Sequence, residues 1–84
     1  MNTASQRLHS LKIGEQAIIT GIDGNDAIVA RLAEMGLLEG EVIQLVARAP
    51  LGDPLEFSIR GYRLSLRKQE AARVQIGPVS LPAP

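Results

Sequence analysis

The chain has 84 residues, enough for one small domain, and its nine Lys+Arg balance nine Asp+Glu for a formal net charge of zero. Cysteine is absent, which excludes disulfide and thiolate-zinc staples, and the charge balance argues against a duplex-binding surface, which needs a basic excess to neutralise phosphates. With 45% hydrophobic but only 2% aromatic residues, the core must be aliphatic, and a chain this short buries only about 60% of its unfolded surface.

Residues 1–7 lack the apolar block of a secretory signal, and no apolar run approaches the ~20 residues that span a bilayer. The expectation is a soluble cytoplasmic protein with no membrane insertion. Leu8, Leu11 and Ile13 follow, with Ser10 placed to cap a short turn and Gly14-Glu15 as a corner. Residues 16–22 (QAIITGI) are rich in β-branched side chains and read as the first strand. Asp23-Gly24-Asn25-Asp26 is turn chemistry in which Asp or Asn can cap a helix.

In residues 26–35 (DAIVARLAEM), Ile28, Leu32 and Met35 fall at i, i+4 and i+7, which predicts a helix with one buried face. Gly36 stands where a left-handed C-cap is wanted, and Leu37 can fold back onto the last turn. Leu38-Glu39-Gly40 is a second corner. Residues 41–48 (EVIQLVAR) carry apolar groups on both faces, as a strongly bent barrel strand would.

Residues 49–54, APLGDP, connect this strand to the next. Pro50 presets turn dihedrals, Gly52 can take a positive φ, and Asp53 can bond its own backbone in an Asx turn. Pro54 leaves one ladder donor absent, which suits an edge strand. Leu51 alone has no structural need to be apolar if it is exposed. Beyond the loop, Leu55, Phe57 and Ile59 alternate with Glu56, Ser58 and Arg60. Gly61 breaks the run, and Tyr62, Leu64 and Leu66 resume an inward face with Arg63, Ser65 and Arg67 outward, so the two segments form a hairpin. Residues 68–72 fit one helical turn and residues 73–76 a last strand. From Gly77 the sequence GPVSLPAP reads as a frayed tail. The domain is therefore placed at residues 1–76, with a flexible Pro-rich tail at 77–84. The whole pattern predicts a mainly β fold: a small SH3-like barrel of about five strands with one inserted short helix and short helical turns.

Several of these pieces, in this order, resemble the FeoA family, small cytoplasmic proteins of bacterial ferrous iron transport. They are Arg31-Leu32-Ala33-Glu34-Met35-Gly36-Leu37, Gly40, Ala49-Pro50-Leu51-Gly52-Asp53-Pro54, Gly61, Leu64-Ser65-Leu66-Arg67 and Glu70-Ala71. Leu8, Leu11, Gly14 and Ile19 match the family's opening more loosely, so that the resemblance covers roughly residues 8–76. It implies an SH3-like barrel without catalysis, in an accessory role towards the FeoB-type permease, whose cytoplasmic part contains a GTPase domain. The same domain type resembles the C-terminal module of some iron-dependent repressors. No winged-helix segment is present here, which favours the stand-alone reading.

Two features are candidates for partner binding: the loop residues Leu51, Gly52 and Asp53, and the basic cluster Arg60, Arg63, Arg67 and Lys68. Gly36, Gly40, Pro50, Pro54 and Gly61 read as structural turns and caps. The basic cluster could equally be a solvated strand face offset by Glu56 and Glu70, where cross-strand pairs stabilise by about 0.2–1 kcal/mol. An RNA backbone is the lesser partner, because Phe57 and Tyr62 lie on the inward register and cannot stack bases.

His9 is the single histidine, and without cysteine it cannot supply a converging ligand set. At high metal concentration it could join carboxylates, even from another chain, in a weak site. No nucleophile has an oriented base beside it, and no phosphate-cradling G-x-x-x-x-G-K is present. The reading is thus of no catalytic residue, no intrinsic metal site and no cofactor. A protein-binding accessory of ferrous iron uptake comes first. A small nucleic-acid-binding barrel or an iron-regulator module is the alternative, and weak self-association is left open.

Overall fold

The computed structural model describes residues 6–83. Its elements are β1 (Gln6–Arg7), a 3-10 turn (Leu8–Ser10), β2 (Gln16–Ile22), α1 (Ala27–Glu34), β3 (Val42–Arg48), β4 (Leu55–Ile59), β5 (Tyr62–Leu66), α2 (Lys68–Ala71) and β6 (Val74–Ile76). The strands form one antiparallel sheet in the order β1-β6-β2-β3-β4-β5. The mainly β fold with one inserted helix and a second short helical turn is as expected. The sixth strand is the addition: Gln6 and Arg7 pair with Ile76 and Gln75, and two residues are too few to show any alternation.

The sheet curls around a core of Leu8, Leu11, Ile19, Leu32, Leu37, Ile43, Leu45, Leu55, Ile59, Leu66 and Val74, with Phe57 the one aromatic among them. Removing each such side chain from water contributes about 1.5–3 kcal/mol, and this largely replaces the staples that small domains often need. The mixed pattern of β3 has a local cause. Ile43 and Leu45 point inward while Val42 is exposed, and the register against β4 shifts between Leu45 and Ala47. An extra residue of this kind bends a strand and increases its twist.

The helix begins one residue later than the sequence pattern suggests, because Asp26 is its N-cap: the Asp26 carboxylate accepts the Val29 N–H at 3.3 Å. Leu32 is fully buried, and Ile28 and Met35 pack at the margin of the core. At the other end Gly36 has φ +99°. The Leu37 N–H donates to the Leu32 carbonyl at 3.1 Å and the Gly36 N–H to Ala33 at 3.0 Å, the paired bonds of a Schellman ending. Leu37 is thereby folded back into the core, 1% exposed.

Three expectations need correction. Tyr62 is not an inward residue: it is 43% exposed, and Leu64 is only half-buried. β5 lies at the sheet margin with a neighbour on one side only, so its inner face is incompletely covered. Ser10 does not cap its turn as an acceptor; its hydroxyl donates back to the Arg7 carbonyl at 2.7 Å. The stretch after Gly77 is tied down where it was expected to fray. Gly77 donates to the Ile18 carbonyl, Ser80 exchanges bonds of 2.8 and 2.9 Å with Gln16, and Val79 packs on the core. Proline lacks an N–H, but Gly77, just before Pro78, and Ser80, between Pro78 and Pro82, supply the donors.

Candidate docking surface

The 49–54 loop is a closed unit. The Gly52 N–H donates to the Ala49 carbonyl at 2.7 Å, making a turn with Pro50 and Leu51 at its centre, and the Ala49 N–H donates to the Pro54 carbonyl at 3.0 Å across the base. Gly52 takes φ +88°. At the tip Leu51 is 96% exposed, so it has no part in the core.

Two loop residues act otherwise than expected. Asp53 does not bond within its own turn; its carboxylate accepts the Lys68 N–H at 2.8 Å. That N–H belongs to the first turn of α2 and has no partner inside the helix, so Asp53 caps a helix 15 residues further along and fixes the loop to it. Pro54 does not open an edge strand, since β4 lies between β3 and β5. It precedes the first residue of β4, and the Ala49–Pro54 pair makes only the bond from the Ala49 N–H, because proline has no N–H to return it.

The basic cluster is split by the fold. Arg60 pairs with Glu41 at 3.0 Å and Arg63 with Glu56 at 3.4 Å, both towards the hairpin end of the β4–β5 pair. Arg60 (φ 51°) and Gly61 (φ 85°) form the two-residue connection there, the positive-φ pair of a type I′ turn. Gly40 sits in the turn closed by the Glu41 N–H donating to Leu38 at 3.1 Å. Glu70 does not offset the cluster either. It is 8% exposed, accepts the Arg67 N–H at 2.8 Å, and pairs with Arg31, bridging α1 to α2. Arg67 and Lys68 remain exposed and without an ion pair among the described residues. The Asp53–Lys68 bond ties the Leu51 loop to the start of α2, where these two residues stand.

A second polar group went unrecognised in the sequence. Asp23 accepts from Gln75 and, at 2.6 Å, from Arg7, while Asp26 accepts from Arg73 at 2.8 Å. The Gln75 amide and then the Arg7 guanidinium hold the Asp23 carboxyl below its ordinary range; the Arg73 guanidinium, then the Val29 N–H, do so for Asp26. In turn Asp26 raises the Arg73 pKa. The partners of Asp26 and Asp23 on the β6 segment are 47 and 52 residues away, beyond the reach of any local pattern.

His9 is half-buried in the 3-10 turn, and its Nδ1 is buried with no hydrogen-bond partner among the described residues. Among those residues no three His, Cys, Asp or Glu side chains converge as a metal site would require, and no helix is long and apolar enough to cross a membrane.

A family model described as FeoA domain matches residues 6–78. Over 74 residues the chain is 38% identical to the Fe(2+) transport protein A/Fe(2+) transporter FeoB fusion protein of Porphyromonas gingivalis, a match covering 88% of this chain and 9% of that protein. The chain thus spans a small fraction of this curated relative's length. Among solved structures, the zinc complex of FeoA from Stenotrophomonas maltophilia, described as an SH3 domain protein, aligns with a TM-score of 0.82 at 32% identity, covering 94% of this chain and 100% of that one. A manganese-dependent transcriptional repressor aligns with a TM-score of 0.80 at 15% identity over 90% of this chain and 37% of the repressor, a likeness of fold alone.

Proposed function

The chain belongs to the FeoA domain family, and on that premise we propose that it is a non-enzymatic, cytoplasmic accessory protein of ferrous iron uptake that docks on the cytoplasmic, GTPase-containing part of a FeoB-type permease and modulates it. The observation that carries this reading is the relative in which transport protein A and the FeoB transporter form one polypeptide. Joining two modules holds each at high effective concentration beside the other, which is of use only if they act together. The docking residues are Leu51, at the tip of a loop fixed by Gly52 and Asp53, with Arg67 and Lys68 at the helix start to which that loop is tied. An exposed leucine gains by leaving water, and two unpaired cations steer an acidic surface towards it.

The nucleic-acid alternative has less support. Arg60 and Arg63 are engaged by acidic partners, and no basic excess exists to neutralise a backbone. Titrating the chain with the permease's soluble cytoplasmic region at physiological salt, with a single-stranded RNA in parallel, tests the reading. Saturable binding of the permease region and none of RNA is expected. The reverse result would overturn it.

A further inference from the structure

We propose that β5 is a self-complementary edge through which two copies of this chain pair as an antiparallel, two-fold symmetric dimer. The basis is hydrogen-bond bookkeeping along the strand, independent of the docking loop. The Arg60-Gly61 turn makes Ile59 and Tyr62 the hydrogen-bonded pair next to it. Pairs alternate along an antiparallel ladder, so Leu64 and Leu66 also bond to β4, whereas the N–H and C=O groups of Arg63 and Ser65 point away from it. No other described main-chain group bonds to those two residues.

Nothing local defends this edge. Sheets normally blunt such margins with very short strands, proline, bulges or charge. The opposite margin, β1, has two residues, and the β2–β6 and β3–β4 registers are broken by shifts. β5 has five residues without proline, in uninterrupted register with β4. Its one charge, Arg63, is occupied by Glu56.

Charge selects the register. The outward groups of Arg63 and Ser65 allow two-fold pairings centred on Arg63, Leu64 or Ser65. Centring on Arg63 sets it opposite its own copy, and centring on Ser65 sets Arg63 opposite Arg67, like-charge contacts that destabilise directly opposed positions. Centring on Leu64 places each Arg63 opposite the other copy's Ser65, Tyr62 opposite Leu66, and Leu64 opposite Leu64. That register forms ladder bonds from both free residues and covers Tyr62 and Leu64, which the monomer leaves partly exposed. Isologous pairs of this kind are the commonest closed assembly.

Ser65→Arg tests the register without threatening the fold, because Glu56 lies opposite position 65 on β4. In sedimentation velocity over rising concentration, the wild type should move towards twice the monomer mass. Ser65→Arg should weaken that association about tenfold, since two symmetric like-charge contacts are introduced, with an unchanged melting curve at concentrations where the wild type is monomeric. Adding Arg63→Glu should restore it. A wild type that stays monomeric to millimolar concentration, or a dimer indifferent to Ser65→Arg, overturns the proposal. So does a monomeric chain in which Ser65→Arg instead abolishes permease binding, which would assign the edge to a strand of the partner.

Discussion

Tyr62 closes the C-terminus of the helix from across the domain: its hydroxyl donates to the Met35 main-chain carbonyl, one of the acceptors a helix end leaves free. The same hydroxyl occupies the space where a Cβ on residue 36 would stand. Gly36 is therefore required twice, by its φ of +99° and by its neighbour. A left-handed residue with a Cβ costs about 1–2 kcal/mol, and the clash adds about 1–3 kcal/mol if Tyr62 must move. Gly36→Val should lower stability by about 2–4 kcal/mol in denaturant unfolding, and Tyr62→Phe by about 0.5–1.5 kcal/mol. Their combination should cost less than the sum, because the hydroxyl at issue is already gone. Strict additivity would show that the two residues do not share this space.

The docking loop separates binding from folding. Leu51→Asp alters a side chain that touches no core residue, so melting should shift by no more than about 0.5 kcal/mol, while affinity for the permease region falls because a charge enters a desolvated contact. Gly52→Val should lower both, since a β-branched side chain is strained at φ +88°. Measuring both variants for melting and affinity checks the assignment. If Leu51→Asp unfolds the domain as Gly52→Val does, the leucine is not a docking residue.

Asp53 offers a subtler intervention. Asp53→Ala removes the acceptor of the Lys68 N–H, and loss of such a cap costs about 0.5–2 kcal/mol. Permease affinity should drop as well, with Leu51, Arg67 and Lys68 all intact, because the loop is no longer fixed to α2. A variant that is destabilised but binds with unchanged affinity would mean that the juxtaposition does not matter to docking.

Acid sensitivity should centre on the Asp23–Asp26 group. Both carboxyls are held below their ordinary value, so folding favours their ionised forms. Their contribution is present in full above about pH 4, the unfolded carboxylate value, and is lost as pH falls through the lower folded values. Thermal midpoints recorded from neutral pH to pH 2 should fall more steeply for the wild type than for Asp23→Asn/Asp26→Asn. Asparagine retains the helix cap but does not titrate. Parallel curves would place the acid-sensitive groups elsewhere.

What the sequence determined by itself is local. The Ile28, Leu32 and Met35 stripe, the Asp26 cap, Gly36 and Leu37 are legible because a helix and its ends are specified within a few residues. The β4–β5 hairpin is legible for the same reason: alternation and a two-residue connection set its register. The exposed Leu51 could be suspected from its place between two turn-forming residues. Only the tertiary structure decided which charges were free. Arg60 and Arg63 find Glu41 and Glu56 across neighbouring strands, Glu70 turns inward to Arg31, and Asp53 reaches α2, leaving Arg67 and Lys68 without an ion pair among the described residues at the helix start to which the loop is tied. The strand β1, the tie at Ser80 and the bonds of Gln75 and Arg73 likewise depend on strands brought together from opposite ends of the chain. Local periodicity reports which face of an element is buried. The partner that meets its polar groups is decided by the packing of distant elements, where one register or another neutralises a side chain or leaves it open to solvent.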